Sequence, residues 1–167
     1  MPSMIEDEIR NALRGCLEIP LYLKIGATRF VGTLNAFKRS IFVPIFLIPV
    51  ILCVLPTAEI YAGKSLGWQA TLMLMQIIIG TGVFAGVLYF FKPKSVTRDD
   101  FLKCMTAYNW LSLSAFVVNI PIILLAVFGI NTWDDVFAMM MLTTLYSYSF
   151  LAYMIIYVLR VSLFLGI

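Results

Sequence analysis

The sequence contains no histidine and few charged residues. Of its 167 residues, 13% are charged and 62% are apolar, whereas soluble domains average about a quarter charged and about half apolar residues. Its mean hydropathy is +0.97. A chain with so few charges cannot cover a water-facing surface. The composition therefore excludes a water-soluble globular domain and indicates an integral membrane protein.

The absence of histidine and of clustered cysteines excludes several chemistries. Without imidazole, the chain cannot form a Ser-His or Cys-His nucleophile system. Its three cysteines, Cys16, Cys53 and Cys104, are far apart and include no CxxC pair. This pattern favours neither a disulfide framework nor the usual zinc and haem sites. The sequence therefore predicts a protein that is not an enzyme and holds no metal or other cofactor.

Four apolar runs are long enough to cross a bilayer, whose core of about 30 Å requires roughly 20 helical residues. They cover about 41–58, 68–91, 101–130 and 136–160. The predicted fold is all-α: a polytopic membrane protein with four transmembrane helices. Residues 1–40 form a cytoplasmic amphipathic or interfacial segment, and residues 41–167 form the four-helix transmembrane domain.

Positive charge is distributed unevenly around these runs. Six basic residues precede the first span, four lie between the second and third, and Arg160 ends the fourth, whereas Lys64 stands alone on the other side. Lysine and arginine are enriched in cytoplasmic loops. This asymmetry predicts a multi-pass protein of the bacterial inner membrane with both termini in the cytoplasm.

The first 40 residues are too charged for a signal peptide. Ser3 and Glu6 have capping-box spacing, and an apolar stripe at helical intervals follows. The segment is predicted to lie at the membrane surface as an anchor, with docking of a cytoplasmic partner as the alternative. Anionic lipid headgroups are the expected partners of a set of basic side chains. This set is Lys24, Arg29, Lys38, Arg39 and Arg160.

Two spans are preceded by a Thr-x-x-Asp pattern. Thr97 with Asp100 precedes the third span, and Thr132 with Asp135 precedes the fourth. A threonine hydroxyl can accept from a free backbone amide at a helix start, and a carboxylate there interacts favourably with the helix dipole. These acids are therefore interpreted as helix caps, and a metal-binding or catalytic pair is the less favoured alternative.

The polar side chains at membrane depth are uncharged. Gln76, Asn109 and Asn119 are amides within the spans, and a hydrogen bond from Gln76 to Asn109 or Asn119 is expected. Prolines in the first and third spans predict helix kinks: Pro44, Pro49, Pro56 and Pro121. These bends are interpreted as packing features, with a polar conduit as the alternative.

Two further patterns predict helix packing. Gly82 and Gly86 form a G-x-x-x-G motif in the second span, favouring contact within the chain's own bundle, with a partner helix or a homodimer as the alternative. Aromatic residues occupy one face of the fourth span: Tyr146, Phe150, Tyr153 and Tyr157. This face is interpreted as a packing surface that could meet a helix, a lipid tail or a quinone-like ligand.

Three stretches resemble small alphaproteobacterial inner-membrane proteins with a layout similar to Yip-type multispanning proteins. They are residues 26–49 with the sequence AFKRS at 36–40, residues 101–121 with AYNW at 107–110, and RVSL at 160–163. Members of that group have five spans, one more than the four runs seen in this chain. The resemblance implies a multispanning membrane protein and brings no catalytic residues with it.

These features predict a non-enzymatic accessory, scaffold or assembly subunit of a membrane complex, or a homo-oligomer. The alternative is a small channel or facilitator lined by the amides and the proline kinks, and an enzyme acting on lipid has the weakest support. The basic residues are explained by membrane orientation. No nucleic-acid partner is therefore expected.

Overall fold

The computed structural model describes residues 2–54 and 63–159, and these residues form seven helical segments without a β-strand. The first three segments are α1 (Pro2–Glu18), α2 (Lys24–Thr28) and α3 (Leu34–Ser40). The remaining segments are α4 (Phe42–Val54), α5 (Leu66–Phe91), α6 (Arg98–Val127) and α7 (Trp133–Leu159).

Four helical stretches are long and apolar enough to cross a membrane. They are Leu34–Cys53, Leu66–Phe91, Arg98–Val127 and Trp133–Leu159, which confirms the predicted all-α fold with four candidate spans. The first stretch begins earlier than residue 41 because α3 continues almost directly into α4. The basic residues Lys38 and Arg39 therefore lie within this helical stretch rather than before it. Residues 55–58 and Arg160 are outside the described residues.

Ile41 separates α3 from α4, and Pro44 gives a physical reason for the break. A proline has no amide hydrogen, and its ring collides with the carbonyl four residues earlier, which here belongs to Ser40. The Ile41 amide donates to the Phe37 carbonyl, and α3 ends there. Pro49 and Pro121 lie within α4 and α6, whereas Pro56 is outside the described residues.

Both threonine caps are confirmed. The Asp100 amide donates to Thr97 Oγ1 while the Thr97 amide donates to Asp100, completing a capping box at α6. Thr132 and Asp135 make the same pair of bonds before α7. The backbone of Ser3 belongs to the first turn of α1, which begins at Pro2, and the predicted cap from its side chain lies outside the described residues.

Helix α6 is the central element of the bundle. Helices α1, α3, α4, α5 and α7 all pack on it, and its contact with α7 is the most extensive. Most of the buried apolar residues surround the half of α6 that begins at Arg98. Cys104, Met105 and Ala107 of α6 belong to this core, as do Phe150 and Met154 of α7. The opposite half of the bundle is more loosely packed.

Helix α1 docks on this core instead of lying free of it. Its residues Ala12 and Cys16 are buried, and the Cys16 thiol donates to the Trp110 carbonyl of α6 at 3.2 Å. Ser114 Oγ donates to the Cys16 carbonyl at 2.6 Å. Burial raises the pKa of the Cys16 thiol to about 12, so the thiol stays protonated as a donor. Ile5 and Ile9, from the same predicted stripe, remain exposed.

Candidate functional site

A cavity of about 780 Å³ that could hold a ligand lies among α4, α5, α6 and α7. The described residues that line it include no lysine, arginine, aspartate or glutamate. Most of the lining is aliphatic or aromatic, with a small number of polar side chains, as is usual for sites that bind apolar ligands. The three amides predicted at membrane depth all reach this cavity.

The amides line one cavity but do not bond to one another, so the expected bond from Gln76 is wrong. Asn109 Nδ2 donates to Ser40 Oγ at 3.0 Å, and both side chains are buried. Asn119 accepts from Thr143 Oγ1 at 2.6 Å and donates to the Ala115 carbonyl at 2.7 Å. Gln76 is exposed. Each asparagine is satisfied by a nearer partner, which sequence spacing alone could not identify.

The cavity is not closed on the side of α7. Helix α5 packs on α4 and α6, and α7 packs on α6, whereas no extensive contact joins α7 to α4 or α5 among the described residues. One wall is formed by Tyr108, whose ring stacks on Phe84 of α5 with centroids 4.1 Å apart. Pro44 contributes to the opposite wall. Since these helices are candidate spans, the opening faces the lipid.

The aromatic face of α7 contacts the chain's own N-terminal segment. The Tyr146 hydroxyl donates to the Pro20 carbonyl, and the Tyr153 hydroxyl donates to the Tyr22 carbonyl. Tyr157 lies beneath the ammonium group of Lys24, 5.6 Å from its ring centre. Phe150 is 1% exposed. The face is therefore a packing surface, and its neighbour is the connection from α1 to α2.

Tyr22 holds this connection in place and was not identified from the sequence. Its φ of 56° lies in the left-handed region, where a bulky residue costs roughly 1–3 kcal/mol. Its ring meets Tyr146 and Tyr153 edge-on, with centroids 6.2 and 5.2 Å away, and its hydroxyl pairs with Ser149. Pro20, two residues earlier, was the available sequence signal for a turn here.

The G-x-x-x-G motif does not pack within the described bundle. A side chain added at Gly82 or Gly86 would meet no atom within 4 Å, whereas one at Gly80 would approach the Tyr108 hydroxyl at 3.6 Å. Two residues of an α-helix correspond to about 200° of rotation. Gly82 and Gly86 therefore face away from the cavity, and the preferred prediction of contact within the bundle is wrong for the described residues.

Two of the predicted lipid-contacting bases pair with carboxylates of α1. Arg29 donates to both oxygens of Glu18, at 2.9 and 3.0 Å, and Arg39 Nε donates to Glu8 at 3.2 Å. The hydrogen bond from Arg29 lowers the pKa of Glu18, and the same bond raises the pKa of Arg29. These pairs fasten α1 to α3 and to the segment after α2.

The other predicted lipid-contacting bases have different placements. Lys24 and Lys38 are exposed, so their ammonium groups remain accessible to headgroups. Arg160 lies outside the described residues.

Within the described ranges, no group of three or more potential metal ligands occurs. Compared with protein-family models, curated proteins and solved structures, the chain matches none of them. Function is therefore inferred from the chain's own chemistry: the uncharged cavity, the docked N-terminal segment and the uncovered face of α5.

Proposed function

We propose that the chain is a non-enzymatic accessory or assembly subunit that binds other membrane helices along α5. One observation carries the proposal: the space beside Gly82 and Gly86 is empty on a 26-residue apolar helix. In lipid, helices associate chiefly by close packing, and small residues four apart allow a second backbone to approach closely. The partner class is therefore a transmembrane helix, from another subunit or a second copy.

The position of α5 in the bundle supports this proposal. Of its residues, only Gln69 and Leu88 are buried. Met75 and Ile79 are exposed and lie near Gly82 on the face that points away from the cavity. A helix from another protein could therefore pack against this face without displacing any described contact of the chain.

The charge asymmetry supports the proposed setting. Basic side chains flank the ends of α4 and α6 near the packed core, and Lys64 lies beyond the other end. By the positive-inside tendency, the core end faces the cytoplasm of the inner membrane, and both termini lie there. Lys24 and Lys38 would then face anionic headgroups. The resemblance to Yip-type multispanning proteins is consistent with this placement.

The test is the composition of the complex after extraction in a mild detergent, comparing the native chain with the variant Gly82→Leu/Gly86→Leu. We expect the native chain to migrate with a second polypeptide or a second copy in fixed ratio. The leucines should abolish this association because their side chains hold the partner backbone away.

Gly67→Leu provides a matched control. Gly67 is in the same helix, and a side chain there would also meet no atom within 4 Å. It lies in the first turn of α5, about four turns before Gly82, so it is outside the contact that the motif would make. This variant should keep the association. The proposal fails if the native chain is a monomer at every detergent concentration, or if all three forms associate equally.

The cavity favours a second candidate function, a facilitator for a small uncharged solute. The part of its lining that the structure describes is uncharged and includes Gln76, Asn109 and Asn119, which could bond to a solute that has lost its water. Gln76→Leu is the appropriate variant, since this exposed side chain has no structural bond to lose in the described residues. Solute flux into liposomes should fall with this variant and not with Met75→Leu on the opposite face. Equal solute flux in Gln76→Leu and Met75→Leu would contradict the facilitator function.

A further inference from the structure

Five hydrogen-bonding side chains of the cavity have no hydrogen-bond partner within residues 2–54 and 63–159. They are Gln76 and Thr81 of α5, Tyr108 of α6, and Trp133 and Tyr148 of α7. Asn109 and Asn119, in the same cavity, are both bonded. The unbonded groups thus come from three different helices and line the same cavity.

Unbonded polar groups are costly in an apolar setting, where water is scarce. The hydroxyls of Tyr108 and Tyr148 can each donate one hydrogen bond, and the Gln76 amide can donate two. A ligand that satisfies them needs oxygen acceptors. It also needs to be neutral, since none of the described residues that line the cavity is charged and a buried unpaired charge is strongly unfavourable.

We propose that the cavity binds a neutral lipid whose polar end carries two carbonyl oxygens, and that Tyr108, Tyr148 and Gln76 donate to them. Diacylglycerol esters and long-chain quinones share this chemistry. The ring of Tyr108, which stacks on Phe84 behind it, provides a flat apolar wall beside the donors. Dispersion contacts with the aliphatic lining hold the remainder of the ligand.

The opening between α5 and α7 provides the entry route. A lipid with an uncharged head can move sideways from the bilayer into the cavity without exposing its tail to water. Its tail can remain between the two helices, which have no extensive contact with each other. A volume of about 780 Å³ lies within the usual range for small-molecule sites, about 300–1,000 Å³.

This site is independent of helix docking, because Gly82 and Gly86 lie on the other side of α5. A resident lipid would obstruct passage of a small solute, so it competes with the facilitator function. The two proposals also use different variants: leucine at the two glycines disrupts docking, and phenylalanine at the two tyrosines disrupts lipid binding. Failure of one is therefore distinguishable from failure of the other.

The test uses the full chain in phosphatidylcholine nanodiscs with a benzoquinone carrying a ten-carbon tail. Quinones quench indole fluorescence on close contact, so every variant carries the reporter Leu151→Trp, which is on the cavity lining one turn from Tyr148. We expect a saturable quenching component in the otherwise native chain that disappears without this reporter. Tyr108→Phe/Tyr148→Phe should raise the half-saturating quinone concentration about tenfold, because it removes two donors and retains both rings.

Tyr89→Phe is the matched control. Tyr89 is exposed on α5 and does not line the cavity. The half-saturating quinone concentration of Tyr89→Phe should therefore equal that of the native chain. Helix content measured by circular dichroism should be unchanged in all variants. Quenching that rises linearly without saturation overturns the proposal, and so does equal half-saturation in the double variant and the control.

Competition then distinguishes the two lipid classes. Added dioleoylglycerol that relieves the saturable quenching identifies a site for acylglycerol esters as well as quinones. Saturable quenching that resists dioleoylglycerol identifies a site selective for the planar quinone head. If extra phosphatidylcholine relieves the quenching equally well, the cavity holds bulk lipid without selection, and the proposal is wrong.

Discussion

Glu18 and Arg29 connect the end of α1 to the segment that follows α2. Both nitrogen contacts are within hydrogen-bond distance, and the fork of the guanidinium matches the two carboxylate oxygens. Neighbouring Arg14 adds a smaller attraction to the Glu18 carboxylate. Because the pair is partly exposed, salt screens it, and its main effect is to fix where α1 meets α2.

This pair should make the docking of α1 depend on pH in the acid range. The pKa of Glu18 is lowered from its ordinary value of 4.5, so the pair stabilises the fold above that value. The stabilisation is lost as the pH falls through the lower folded-state pKa. The thermal midpoint of the native chain should exceed that of Glu18→Gln between pH 6 and 8. This difference should shrink below pH 4.5.

Tryptophan fluorescence in detergent measures both midpoints, since Trp110 lies beside α1. Glu6→Gln is the control, because Glu6 is exposed. The thermal midpoint of this variant should equal that of the native chain at each pH. A midpoint difference for Glu18→Gln that is constant down to pH 3 would contradict the role assigned to the carboxylate.

At this scale, the sequence predicted bonds between near neighbours and missed those between distant residues. The Thr97 and Thr132 caps were correct because a cap depends only on residues three apart. The predicted hydrogen bond between Gln76 and Asn109 was wrong because Ser40, 69 residues before Asn109, supplies the acceptor. That pairing depends on how α3 packs against α6, and side-chain type alone does not determine it.

At the scale of helices, a close backbone contact holds the segment before α3 against the start of α6. A side chain added at Gly32 would lie 2.3 Å from the carbonyl oxygen of Asp99 and 3.0 Å from its carbonyl carbon. The colliding atoms belong to the backbone of the first turn of a 30-residue helix. They cannot move aside as the end of a flexible side chain can.

Gly32→Ala should therefore destabilise the chain by about 1–3 kcal/mol, the usual cost of overpacking. Gly67→Ala is the control, because an added methyl there meets open space and alanine favours the helix. The measurement is the temperature at which buried Cys16 and Cys104 react with a thiol dye, in a Cys53→Ser background. An unchanged temperature for Gly32→Ala would contradict this close contact.

Three of the span starts were predicted within three residues, because hydropathy marks all three and a threonine cap also marks the third and fourth spans. The start of the first span was not, because α3 contains Lys38 and Arg39 and looks like a polar flank. Arg39 pairs with Glu8 of α1, so its charge is compensated within the chain. The sequence contains both residues, but only the fold shows that they meet.

At the scale of the whole molecule, the proposed orientation predicts which loops can be labelled from outside the cell. With Cys53 replaced by serine, Lys64→Cys should react with a membrane-impermeant maleimide on intact cells. Ser95→Cys should react only after permeabilisation. Both positions are exposed, and the native Cys16 and Cys104 are buried. The reverse labelling pattern would contradict cytoplasmic termini.

The number of spans follows from the sequence, whereas their arrangement does not. Hydropathy identifies which segments can enter a bilayer but gives no information on which helices touch. The central position of α6, the gap between α5 and α7 and the uncovered glycines all depend on packing. The cavity was therefore predicted only as a set of three amides, without its shape or the contribution of Tyr108 and Tyr148.

The contacts of residues 19–24 with α7 also constrain the order of events during synthesis. Tyr146 and Tyr153 follow their acceptors, Pro20 and Tyr22, by 126 and 131 residues. Helix α1 can pack on α6 before α7 exists, but residues 19–24 have no docking surface on α7 until the last span has been made. This connection must remain undocked from α7 until then, and the core closes only after the fourth helix has entered the membrane.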